Sequence, residues 1–101
     1  MSNNGATYDQ QQLAEICRRW EITELNLFGS VLRDDFRPDS DIDVLVSFAP
    51  DAGWSLLDIV RLTEELEEVF GRKVDLVEKE ALRNPFRRHE ILSHREIIYA
   101  A

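Results

Sequence analysis

Apolar residues change period several times along this chain, and each change marks an element. Leu13, Ile16, Cys17 and Trp20 recur at i, i+3, i+4 and i+7, one face of an amphipathic helix. Thr7-x-x-Gln10 ahead of them resembles a capping box. Leu25 to Phe28 is a short apolar stretch closed by Gly29, which predicts a strand. Ser30 to Asp35 predicts a turn of helix, and Phe36-Arg37-Pro38-Asp39-Ser40 has turn chemistry. Ile42 to Phe48 is rich in β-branched residues and predicts a second strand.

Beyond the loop Asp51-Ala52-Gly53, Ser55-x-x-Asp58 is placed to cap a second helix. Leu56, Ile59, Val60, Thr63, Leu66 and Phe70 follow its period, and Gly71 stands where a C-terminal cap glycine belongs. Lys73 to Val77 predicts a third strand with Asp75 in its middle. Asn84-Pro85 reads as an N-cap followed by proline at the first helical position, opening a helix to about Ser93. Ile97-Ile98-Tyr99 predicts a short terminal strand. The order is that of an α/β or α+β domain, a small mixed sheet flanked by helices.

With 101 residues the chain is expected to be one domain, residues 1–101, with 1–8 a flexible N-terminus. Hydrophobic residues make up 44% and charged residues 32%, a balance that favours a folded domain over a disordered one. No run of ~18 apolar residues would span a membrane, and MSNNGATYDQQQ lacks a basic region followed by an apolar one, so no secretory signal is expected. The one cysteine, Cys17, lies on the apolar helix face; it reads as a small core residue and fits a reducing cytoplasm.

The formal net charge of −8 disfavours broad, direct nucleic-acid binding. The charge is uneven. From Ala81 onward four arginines (Arg83, Arg87, Arg88 and Arg95) meet two glutamates, a net of +2, so the remainder carries −10. That basic tail is either a solvated helix face or an anion- or partner-facing surface. His89 and His94 are five apart, which does not fit two ligands on one helix face, and both read as surface or partly buried histidines. Trp20, Trp54 and Tyr99 read as packing residues, with Trp54 the one placed to stack on a base or a partner instead.

The chemistry concentrates in LFGSVLRDDFRPDSDIDVLV, residues 27–46. Side chains alternate along a strand, so Asp41 and Asp43 share one face while Ile42, Val44 and Val46 take the other. Neighbouring carboxylates repel unless a cation sits between them, and paired aspartates suit Mg²⁺, which binds one or two carboxylates plus substrate phosphates. Asp75 on the third strand would join them if the two strands are neighbours, giving a two-metal site for phosphoryl chemistry. Gly29-Ser30 follows a strand and opens a helical turn, where backbone N–H groups and the Ser30 hydroxyl can meet phosphate oxygens. Arg33, one turn on, is within reach of a triphosphate or is simply solvated. Taken singly, each aspartate also reads as a strand cap or a solvent-facing residue.

Gly29-Ser30, then Asp41-Ile42-Asp43, then Asp75 on a later strand resembles the polymerase-β-type nucleotidyltransferase superfamily. The run Arg37 to Asp43 and the closing Asn84 to Leu92 resemble its minimal nucleotidyltransferases, the MNT group. The resemblance implies a polymerase-β-like fold and a Mg²⁺-dependent nucleotidyltransferase, with two Mg²⁺ ions and ATP as substrate. It implies that Gly29, Ser30 and Arg33 bind the nucleotide. It implies Asp41, Asp43 and Asp75 as catalytic residues and metal ligands, with Asp75 toward the acceptor hydroxyl. Val31, Leu32 and Asp34 stand where members of the group often carry small or glycine residues, and Asp34 and Asp35 add negative charge near the expected triphosphate.

Larger relatives carry a second, acceptor-binding domain, and none is visible in this sequence, so the acceptor is expected to arrive on another protein. For the MNT group the resemblance implies an antitoxin that transfers AMP to a tyrosine of a HEPN ribonuclease toxin in a hetero-oligomer. Two other functions compete. One is a non-catalytic antitoxin that neutralises its toxin by binding; the other is nucleotidyl transfer to a small molecule.

Overall fold

Asp9 starts the first helix. Its carboxylate accepts from the backbone N–H groups of Gln11 (2.8 Å) and Gln12 (3.3 Å), two of the donors that a helix start leaves without partners. The computed structural model describes residues 8–32 and 40–101. Thr7, expected to cap this helix, lies outside them, and Asp9 does the capping. Helix α1 (Gln10–Arg19) buries Leu13, Ile16 and Cys17, the face its spacing predicts. Burial pushes the Cys17 thiol up to about 12.

Strand β1 (Ile22–Phe28) runs antiparallel to β2 (Ile42–Phe48). Helix α2 (Leu56–Phe70) carries the chain across to β3 (Val74–Glu78), parallel to β2. Helix α3 (Pro85–Ser93) returns it to β4 (Arg95–Ala100), antiparallel to β1. The strand order is β3-β2-β1-β4, a mixed sheet.

Both faces of the sheet are covered. On one, α1 and α2 set Leu13, Leu62 and Leu66 against Leu25, Leu27, Val44 and Val46, all 0–1% exposed. Each such side chain contributes about 1.5–3 kcal/mol by leaving water. On the other, α3 sets Ile91 against Phe28 and Leu45. Leu45 is therefore as deeply buried as its neighbours Val44 and Val46, which is why β2 reads as a continuous apolar run once past Asp43.

Local chemistry fixes the remaining joints. Ser55 and Asp58 form the reciprocal cap of α2: Ser55 Oγ accepts from Asp58 N–H (3.2 Å) and Asp58 Oδ2 accepts from Ser55 N–H (2.9 Å). Gly71 closes that helix in the left-handed region, at φ +67°. Asn84 caps α3, with proline at its first position. Trp54 donates from Nε1 to the Trp20 carbonyl (2.8 Å), and the two rings meet edge to face at 4.8 Å. It is a packing residue. Among the described residues no helix is long and apolar enough to cross a membrane.

Candidate active site

One row of the sheet brings the chemistry together. Asp43 on β2 is opposite Asp75 on β3 and opposite Phe28 on β1, and Phe28 is opposite Arg95 on β4. The row Asp75–Asp43–Phe28–Arg95 thus crosses all four strands. It lies where β2, β3 and β4 begin and β1 ends. With neighbouring strands ~4.8 Å apart, the row spans about 14 Å.

The parallel pairing of β2 with β3 makes Asp43 and Asp75 neighbours. Ile42 N–H donates to the Lys73 carbonyl (2.9 Å), pinning the head of β2 to β3 between Asp41 and Asp43. Asp43 is half-buried, whereas Asp41 and Asp75 are exposed. Two carboxylates one strand spacing apart repel, and a bound cation removes that cost. Asp41 stands just ahead of β2, two residues from Asp43. Among the described residues no three Asp, Glu, His or Cys side chains gather closely enough to hold a metal ion; the strand register sets Asp43 beside Asp75.

Gly29 completes this corner. It ends β1, opens the short 3-10 turn Gly29–Leu32, and has φ +74°. A Cβ built there would run into the Asp43 carboxylate. Only glycine satisfies both the backbone conformation and the close approach. The Asp43 carboxylate takes the place a Cβ would fill, and two hard oxygen donors that repel one another, Asp43 and Asp75, have the chemistry that suits Mg²⁺. The Ser30 side chain and the whole of Arg33 lie outside the described residues.

The far end of the row joins Arg95 of the basic tail to Glu24 and Asn26, two residues that the sequence reading did not single out. Arg95 Nη1 lies 3.3 Å from Glu24 Oε1. The same oxygen accepts from Asn26 Nδ2 (3.1 Å) and lies 3.7 Å from Lys79 Nζ. The Asn26 hydrogen bond foremost, then Lys79 and Arg95, hold the Glu24 carboxyl below the usual carboxylate range, against an opposing effect of burial. Asn26 is fully buried, a polar side chain inside a strand that reads as apolar. Arg87, Ile91 and His94 sit four and three residues apart on α3 and its C-cap, so they share one face. The net positive charge of the tail was the signal that pointed here.

A glycine turn set against a carboxylate pair at the end of a mixed sheet is an arrangement suited to phosphate chemistry. A family model described as the nucleotidyltransferase domain matches residues 10–98, and the chain belongs to that family. It is 36% identical to the protein adenylyltransferase MntA of Thermococcus cleftensis over 85 residues, 84% of this chain and 81% of that one. Among solved structures, a toxin–antitoxin assembly with AMP-PNP shares the fold at a TM-score of 0.72 and 18% identity, over 92% of this chain and 74% of that one. The MNT antitoxin in complex with a tri-AMPylated HEPN toxin of Shewanella oneidensis shares it at 0.63 and 17%, over 91% and 70%.

Proposed function

We propose that this nucleotidyltransferase is a Mg²⁺-dependent protein adenylyltransferase that acts as an antitoxin, moving AMP from ATP to a hydroxyl of a HEPN toxin, a tyrosine by resemblance. The observation that carries this reading is the pairing of Asp43 with Asp75 beside Gly29. The name of the Thermococcus relative and the AMPylated toxin in the Shewanella assembly supply the reaction and the partner class.

In the reaction the acceptor hydroxyl oxygen forms a bond to the α-phosphorus of ATP. The bond from that phosphorus to the bridging oxygen of the β-phosphate breaks, and pyrophosphate leaves. Asp75, exposed at the edge strand, faces the incoming acceptor and takes the hydroxyl proton. Asp43, pinned between β1 and β3, and its neighbour Asp75 are the residues that would hold Mg²⁺ beside the α-phosphate. The Gly29-Ser30 turn and Arg33 hold the rest of the triphosphate. Mg²⁺, when bound by Asp41, Asp43 and Asp75, supplies positive charge to the phosphate oxygens.

The test is to incubate the chain with α-labelled ATP, Mg²⁺ and a HEPN partner. The partner should become labelled, and Asp41→Ala/Asp43→Ala should abolish the label. Undiminished labelling by that variant refutes the site. A variant that no longer labels the toxin yet still neutralises it would favour occlusion over catalysis.

A further inference from the structure

The strand that carries Asp75 has little of its own to hold it. β3 is five residues long, lies at the edge of the sheet and carries Asp75 at its second position. Segments with few contacts open locally at little cost, and the end of a short edge strand is such a segment. Yet Asp75 meets Asp43 only while the head of β3 stays in register. What fixes that head is Val74, the residue before Asp75.

Val74 is held in three ways. Its side chain, 8% exposed, belongs to the core that α1 and α2 cover. The Lys73 carbonyl just ahead of it accepts from Ile42 N–H (2.9 Å) on β2. Val74 N–H then points away from β2, to the side where an edge strand has no neighbour. There Glu67 Oε2 accepts from it (3.0 Å).

Glu67 stands in the last turn of α2. Its own carbonyl accepts from Gly71 N–H (2.8 Å), so one residue ties both ends of the loop between α2 and β3. A carboxylate in that turn opposes the helix dipole, and no basic residue of the turn offsets it. Glu64, three residues back on the same face, adds like charge. Helix stability gives no reason for a glutamate here; the bond to Val74 gives one.

We propose that Glu67 is a positioning residue for Asp75: by holding Val74 N–H it keeps the head of β3 in register and Asp75 opposite Asp43. The inference rests on the adenylyl-transfer reading for what Asp75 does, and on the strand geometry alone for how it is held. A carboxylate that accepts from a backbone N–H makes a charge-assisted bond, stronger than a neutral one. Without it the first residues of β3 open more often, and Asp75 leaves Asp43 each time.

The test follows backbone amide exchange by NMR in the full chain, with EDTA present and no nucleotide. In Glu67→Ala the amides of Val74, Asp75 and Ile42 should exchange roughly tenfold faster or more, with Leu27 on β1 unchanged. Glu67→Gln keeps an oxygen that accepts from Val74, so its exchange should stay within about threefold of native. Glu68→Ala removes the same charge from an exposed place on α2 and should change nothing. Faster exchange at Val74 alone would overturn the proposal, because Glu67 would then be a loop cap without hold on the register.

The second arm measures AMP transfer to a HEPN partner. Glu67→Ala should lower kcat by about tenfold or more, with the KM for ATP within about twofold, and Glu67→Gln should recover most of the loss. A native kcat in Glu67→Ala, or Glu67→Gln as impaired as Glu67→Ala, would overturn the proposal. The two readings fail separately. If the native chain labels no partner, the adenylyl-transfer reading fails and the exchange arm still judges the hold of Glu67 on Asp75. If the native chain labels its partner and Glu67→Ala does so equally well, the positioning role alone fails.

Discussion

Gly29 and Asp43 touch so closely that the glycine has no room for a side chain. They come from β1 and β2, adjacent antiparallel strands, and meet at the end of the sheet where Asp75 joins from β3. Gly29→Ala therefore suffers twice, from its φ of +74° and from collision with the carboxylate. It should lower stability by about 1–3 kcal/mol in urea unfolding and remove adenylyl transfer. Gly71 offers the control: its φ is +67°, but nothing lies within reach of an added Cβ. Gly71→Ala should cost about 1 kcal/mol and keep activity. Equal activity in the two variants would show that the approach to Asp43 is not functional.

In the proposed function Asp75 sits beside Asp43 to hold a cation, at a cost in stability. Without divalent cations, Asp75→Asn should raise the unfolding free energy by about 0.5 kcal/mol, because the repulsion is relieved at an exposed site. The same variant should lose the rise in Tm that Mg²⁺-ATP gives the native chain. A loss of stability in EDTA would mean that Asp75 is a structural residue.

How much of this was legible beforehand divides along physical lines. The α2 cap at Ser55 and Asp58, the Gly71 stop and the Asn84-Pro85 start use local rules, so at most four neighbouring residues suffice to read them. The DxD pair was legible for the same reason. The start of β1 at Ile22, ahead of the expected Leu25, depends on pairing with Phe48 across the sheet, which no local pattern carries. The Glu24–Asn26–Arg95 network was invisible because its partners lie 71 residues apart at the longest link and meet only after β4 docks on β1. The neighbourhood of Asp43 and Asp75 was conditional on strand order, and the parallel β2–β3 pairing supplies it.

That network makes a pH prediction. The folded state holds the Glu24 carboxyl below its ordinary range, so ionised Glu24 favours folding. Its contribution is complete above the unfolded pKa and is lost as the pH falls through the lowered folded pKa. Glu24→Gln should flatten the acid limb of the stability–pH curve and cost about 1 kcal/mol at neutral pH. A variant with an unchanged acid limb would show that Glu24 is not part of the linkage.

Cys17 is buried, with its thiol pushed up to about 12. At about pH 8 the folded chain should resist thiol reagents, which need the thiolate, and react promptly once unfolded. The labelling rate then follows opening of the α1–sheet core. Fast labelling under native conditions would contradict the packing of α1.

The central claim is that the bond broken lies between the α- and β-phosphates of ATP. The direct measurement compares ATP labelled at the α-phosphate with ATP labelled at the γ-phosphate, each incubated with the chain, Mg²⁺ and a HEPN partner. The account predicts that α-label appears on the partner, that γ-label leaves as pyrophosphate, and that Asp43→Asn stops both. Transfer of the γ-label to the partner, or α-labelling that survives Asp43→Asn, would contradict it.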